Sequence, residues 1–211
     1  TDWVSKVKRD LSPVEAGRFF VFGKHDSKKL PKDRVGLLIE ASMAFGTGHH
    51  GTTKGCLLAL DKLIEREVKI DNVIDIGCGT AVLAMAIGKV ISSKIIASDT
   101  DQVAVEVALK NLKANKLEKR ITCLHATGFE DALIKSAAPF DLIFANILKP
   151  TLIDLAPSIR SYLKRSGYAI ISGILDVQAI EVIKFYRKNN LEVIDRIDIG
   201  EWVTLTLISS E

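Results

Sequence analysis

From Val73 onward the chain alternates short β-rich runs with stretches of helical periodicity, and this alternation constrains the fold more than any other feature. Residues 73–77, 94–99, 121–125, 140–146 and 168–172 read as strands. Residues 82–91, 101–115, 130–136, 152–163 and 177–189 read as the helices between and after them. Strands that alternate with helices build a mostly parallel sheet with right-handed crossovers and helices on both faces. The last two runs, 192–197 and 202–208, are separated only by Asp198–Glu201. That is too short for a crossover helix, so the pair must be an antiparallel hairpin. The expected fold is therefore α/β and Rossmann-like, with about seven strands and a hairpin at its end.

The first 66 residues behave differently. Residues 18–23 and 35–40 read as two strands around a basic turn containing Pro31, and 52–66 as a helix capped by Thr52 or Thr53. This preamble is expected to pack on a domain spanning 67–211. Residues 1–34 hold nine Lys and Arg against five acids, a solvated face or a docking surface for an acidic or RNA-rich partner. The whole chain carries only +3, too little to argue for nucleic-acid binding by field alone. Its 47% hydrophobic and 26% charged residues exclude disorder, collagen and coiled coil as overall classes. Cys56, Cys78 and Cys123 are odd in number and widely spaced, so neither a disulfide framework nor a zinc site is expected, and no metal is assigned. The absence of a long apolar run or a signal-peptide pattern reads as cytoplasmic.

Val73-Ile-Asp-Ile-Gly-Cys-Gly-Thr-Ala81 runs from a strand through Gly77 and Gly79 into a helix. Glycines here let the backbone turn sharply and approach a ligand closely. The dinucleotide fingerprint G-x-G-x-x-G fails, because Val82 stands where its third glycine should be. Asp75, two residues before Gly77, would repel a pyrophosphate and favour a cationic ligand. S-adenosylmethionine (SAM), with its ammonium and sulfonium, suits this charge better than NAD does. Asp99 ends the next strand, 22 residues beyond Gly77, where a carboxylate can accept both ribose hydroxyls. It could instead cap the following helix, a role Asp101 fills more naturally.

Asn146 ends the fourth strand of the domain, at the side of an open α/β sheet where ligands bind, and Pro150 stiffens the turn behind it. Its side-chain carbonyl can accept a hydrogen bond from an amine; the alternative is an Asx turn or helix cap. The segment resembles the N-P-P-[YF] motif of amino-group methyltransferases. Upstream, Ala44-Phe-Gly-Thr-Gly-His-His-Gly-Thr-Thr53 precedes a helix whose amino terminus would favour the SAM carboxylate, with Thr53 as its partner. Phe45 could wall the transfer site or pack in the core. His49 and His50 are adjacent and point apart, so they make no metal site, and His50 is open as a general base or a hydrogen-bonded loop residue.

Residues 45–53, Asp75-Ile-Gly-Cys-Gly79, Ala145-Asn-Ile-Leu148, Ser172-Gly-Ile-Leu175 and Glu201-Trp202 together resemble the PrmA-type ribosomal protein methyltransferases. The resemblance runs from Trp3 to about Leu207. It implies a class I, SAM-dependent N-methyltransferase acting on lysine ε-amines and an N-terminal α-amine of the large-subunit ribosomal protein L-eleven. It places SAM binding on Thr53, Gly77, Asp99 and Asn146, with S-adenosylhomocysteine as the product. This chain departs from the family where His49 stands for a threonine, Gly51 for a proline and Ala81 for a glycine. The family's separate amino-terminal recruitment domain has no counterpart in 1–66, so it is expected to be missing upstream of Thr1. The readings that compete are a nucleobase or glutamine acceptor, a SAM-binding scaffold without catalysis, and an NAD-dependent oxidoreductase.

Overall fold

The computed structural model describes residues 12–39 and 51–210. Its centre is a seven-stranded sheet in the order β6-β5-β4-β7-β8-β10-β9. The strands are β4 (Asn72–Ile76), β5 (Lys94–Asp99), β6 (Ile121–His125), β7 (Phe140–Asn146), β8 (Leu163–Leu175), β9 (Leu191–Ile199) and β10 (Trp202–Ser209). Strands β4 to β8 pair in parallel, whereas β10 is antiparallel to both β8 and β9. The terminal hairpin expected from the short spacer is thus present. It is tighter than its sequence suggests, because Ile199 pairs with Trp202 and only Gly200 and Glu201 turn the chain. Gly200, at φ +59, supplies the left-handed backbone that such a turn requires.

Strand β4 shows why the central strands are apolar throughout. Val73 lies in the hydrophobic core on one face of the sheet, while Ile74 and Ile76 lie in the core on the other. Period-two alternation divides its side chains between these layers. The first face is covered by α1 (Gly51–Glu65), α2 (Val82–Val90) and α3 (Gln102–Ala114), and the second by α4 (Ala132–Ala137), α5 (Lys149–Tyr162) and α6 (Asp176–Lys188). β10 divides its side chains in the same way. Val203, Leu205 and Leu207 enter the second core, while buried Thr204 faces Gly55 of α1. A Cβ on Gly55 would lie 2.2 Å from Thr204 Oγ1, so α1 rests on the sheet only because that position has no side chain.

Helix starts follow local chemistry. Asp101 accepts a hydrogen bond from the Val103 N–H and caps α3, as its position in the sequence predicts. Asp131 does the same for α4 through the N–H groups of Leu133 and Ile134. Helix α1 begins at Gly51, so Thr52 and Thr53 sit inside its first turn and neither is its cap, contrary to expectation.

The preamble forms a small sheet of β1 (Val14–Ala16), β2 (Phe19–Phe22) and β3 (Val35–Leu38), with a 3-10 helix at Lys24–Lys29 in the basic turn. The two expected strands pair in parallel. β1 is only three residues long, too short to show a period in the sequence. The sheet shares the first core: Phe19, Val21 and Leu37 pack in one cluster with Leu57, Met85 and Leu112. Buried Asn115 fastens it further. Its amide donates to the Leu38 carbonyl at 2.9 Å, and its carbonyl accepts from the Leu38 N–H at 3.0 Å, as a paired strand would.

Candidate active site

The strand order reverses direction beside β4, with β5 on one side and β7 on the other. The carboxyl ends of these strands flank the crevice where open α/β sheets bind ligands. Most of the residues predicted for the site gather there. Gly77 and Gly79 follow β4 with φ of +66 and +54, so both use backbone that side chains disfavour. A Cβ on Gly77 would meet Ile147 Cγ2 at 2.5 Å, whereas one on Gly79 would meet nothing within 4 Å. Gly77 is therefore needed for packing, and Gly79 presents bare backbone to open space. The loop is held from below by Cys78, whose N–H donates to the Ser98 carbonyl at 2.9 Å, and by Asn111, whose amide donates to the Thr80 carbonyl at 3.0 Å.

Asp99 closes the loop against β5. One carboxylate oxygen accepts from the Gly79 N–H and the other from the Asp101 N–H, both at 3.0 Å. Each oxygen retains a lone pair for a hydroxyl. Asp101 is the helix cap, so the competing role for Asp99 is taken by its neighbour.

Asp75 is buried beneath the loop and accepts from the Ala84 N–H of α2 at 3.2 Å. The residue before that helix, Ala81, sits at φ +65 and offers no side-chain cap, so the carboxylate of the preceding strand serves the helix start. Burial, reinforced by the Asp99 charge, pushes the Asp75 carboxyl up to about 7, against the Ala84 hydrogen bond that lowers it. Bringing a cation to this acid favours its ionised form.

Asn146 ends β7 opposite Ser172 of β8. Its amide nitrogen donates to Thr52 Oγ1 at 3.4 Å. With the nitrogen directed at Thr52, the amide oxygen is the end of the side chain that can accept from an amine. Thr53 is buried in the same helical turn as Thr52. Phe45, His49 and His50 lie outside the described residues.

A cavity of about 310 Å³ adjoins this constellation. Ile76, Gly77, Ser98, Thr100 and Ile147 line it, together with residues 126–130 and four positions of α5. The 126–130 loop was not singled out from the sequence. The available signal was Gly128, at φ +52, three residues beyond the end of β6 on the ligand-binding side of the sheet. Thr52 was singled out only as a cap, because its contact with Asn146 joins residues 94 positions apart.

These residues fit an adenosine-bearing sulfonium ligand. Open space over Gly79, a carboxylate with spare lone pairs at Asp99, an apolar-walled cavity and a buried acid that a cation would ionise all lie at one crevice.

The profile of the family described as "Ribosomal protein L11 methyltransferase (PrmA)" matches residues 1–209. The chain belongs to this family. It is 43% identical over 206 residues to a "Ribosomal protein L11 methyltransferase" of Caulobacter sp. (strain K31), covering 98% of this chain and 70% of that one. The Brucella abortus (strain S19) protein of the same name is also 43% identical, with 98% and 72% covered. A crystal structure of the "ribosomal protein L11 methylase" of Lactobacillus delbrueckii subsp. bulgaricus superposes with a TM-score of 0.84 at 25% identity, over 94% of this chain and 99% of that one. A precorrin-6y C5,15-methyltransferase from Geobacter metallireducens GS-15 shares the fold at a TM-score of 0.59 and 15% identity, over 72% of this chain and 88% of that one. The chain is thus a methyltransferase of class I architecture, and family and fold together imply SAM as the methyl donor. The NAD-dependent reading is set aside. Among the described residues, no helix is long and apolar enough to cross a membrane.

Proposed function

We propose that this chain transfers methyl groups from SAM to amino groups of ribosomal protein L11, on lysine side chains and the amino-terminal amine. The observation that carries the amine reading is the orientation of Asn146. Its nitrogen is engaged by Thr52, which leaves a carbonyl oxygen to accept from the attacking amine and aim its lone pair. SAM supplies an electrophilic methyl on a sulfonium. Asp99 takes the ribose hydroxyls, Gly77 and Gly79 admit the ligand to the backbone, Asp75 answers its positive charge, and Thr53 lies where the carboxylate is expected. Phe45 is assigned to the wall of the transfer site on its place in the glycine-rich segment that precedes α1 in the sequence.

A lysine amine has a reference pKa of about 10.4 and must lose its proton before it attacks. Desolvation in the crevice and repulsion by the sulfonium both favour the neutral amine. Holding that amine in line with the methyl supplies much of the acceleration, since oriented reactants behave as if at very high local concentration. The proton needs no dedicated base in this scheme. The test is an assay with methyl-labelled SAM that offers purified L11 beside bare ribosomal RNA. Label is expected in L11 and recovered as methylated amines; label found only in RNA would refute the acceptor assignment.

A further inference from the structure

Three large aliphatic side chains stand in water beside the transfer site. Leu148, two residues after Asn146, is 69% exposed, and Val177 and Ile180 in the first turns of α6 are 82% and 65% exposed. They belong to one surface. Helices α5 and α6 begin side by side at the carboxyl ends of the neighbouring strands β7 and β8. An ion pair between Lys149 and Glu181 joins the residue after Leu148 to the residue after Ile180. Val177 and Ile180 are three apart and share a helix face. Among the described residues, the other exposed large aliphatics, Val103, Leu109, Leu133 and Ile194, lie on α3, α4 and β9. Exposed aliphatic side chains gathered at one end of the sheet beside a site mark an interaction surface.

The rim carries negative charge. The Asp176 N–H donates to the Glu201 carbonyl at 2.8 Å, which brings two exposed acids together beside Val177. Of the cations nearby, Lys149 is engaged by Glu181 and Arg196 by both oxygens of Asp198, while exposed Lys184 stands one turn further along α6. A surface that is apolar at its centre and acidic at its lip suits a basic polypeptide with apolar residues near its lysine.

We propose that Leu148, Val177 and Ile180 form the platform on which the acceptor polypeptide docks, a lysine-bearing segment of L11 whose amine reaches Asn146 from this side. This rests on the acceptor reading above and adds where the acceptor is held. The surface is continuous with the transfer site through the backbone 146–148, so a bound chain need not cross the SAM cavity. That cavity is walled by Ile147, whereas Leu148 faces out.

The test compares the unaltered chain with the double variant Val177→Ser and Ile180→Ser, and with Ile194→Ser on β9 as a control. Steady-state methylation of L11 and SAM affinity by calorimetry are both measured. The platform variant is expected to raise KM for L11 about tenfold or more, with kcat and SAM affinity within twofold of the unaltered chain, while Ile194→Ser changes none of them. An unchanged KM overturns the docking proposal alone. A parallel loss of SAM affinity also overturns it, by showing the patch to be structural. Failure of the unaltered chain to methylate L11 sinks the acceptor reading, and the docking proposal with it.

Discussion

In the proposed mechanism Asn146 presents its carbonyl to the amine while Thr52 accepts from the other end of its amide. Replacing Asn146 with Ala should nearly abolish methyl transfer, whereas Thr52→Val should lower kcat about tenfold through lost orientation, with SAM affinity unchanged. Single-turnover kinetics beside calorimetry separate the two effects, and a Thr52→Val enzyme with full kcat would contradict the orienting role. Asp75 makes a different prediction. Burial raises its carboxyl in the folded state to about 7, well above the usual carboxylate range. Between pH 4 and 7 the unfolded chain therefore ionises this group while the folded chain keeps it protonated, so its contribution to stability falls as pH rises through that window. Asp75→Asn should flatten that part of the stability profile. In the unaltered enzyme, SAM should bind more tightly as pH rises towards 7 and should release a proton on binding below it. Calorimetry in buffers of different ionisation enthalpy reads that proton. Asp75 and Asp99 could be read from the sequence because strand ends point to the ligand side of such sheets. The partnership of Thr52 and Asn146 could not, since nothing local in either segment announces a contact across 94 positions.

Among the elements, the glycine loop and its neighbours are the most demanding. Gly77→Ala would add a methyl against Ile147 and force left-handed backbone on a side chain, a conformational penalty of about 1–2 kcal/mol before any clash. Gly79→Ala meets the same backbone penalty with no protein atom in the way. Thermal melts should therefore fall further for Gly77→Ala than for Gly79→Ala, while Gly79→Ala loses SAM affinity out of proportion to its stability; equal losses in both would contradict this division. The helix after the loop shows how strand and helix share a task. Ala81 cannot cap α2, and the Asp75 carboxylate from β4 reaches its Ala84 N–H instead. Periodicity located the central strands β4, β5 and β7 well because they are mostly buried and largely apolar. It undercut β8, in which the polar residues Lys164, Arg165 and Ser166 follow buried Leu163 and interrupt the apolar run. It missed β1, whose three residues are too few to show a pattern.

At the scale of the whole molecule, the preamble and the sheet share a core, and Asn115 adds a two-way clasp to Leu38 of β3. Asn115→Ala leaves both backbone groups of Leu38 without that partner and should cost about 1–3 kcal/mol. A denaturant midpoint within error of the unaltered chain would show the clasp to be dispensable. The mostly parallel sheet and its terminal hairpin were legible in the spacing of apolar runs, whereas the strand order and the switch point emerge only from the pairing of the strands. The apolar platform beside Asn146 was not legible. Leu148, Val177 and Ile180 look like ordinary core positions in the sequence, and only the packing of α5 and α6 turns them outward. The central claim joins this architecture to one chemistry, methyl transfer to amines of L11 steered by Asn146. Its most direct test is the intact mass of L11 after incubation with SAM and either the unaltered chain or Asn146→Ala. Whole methyl additions are expected with the unaltered chain, mapped to lysine or amino-terminal amines, and an almost unmodified L11 with the variant. Equal methylation by both proteins, or an L11 mass unchanged by either, would contradict it.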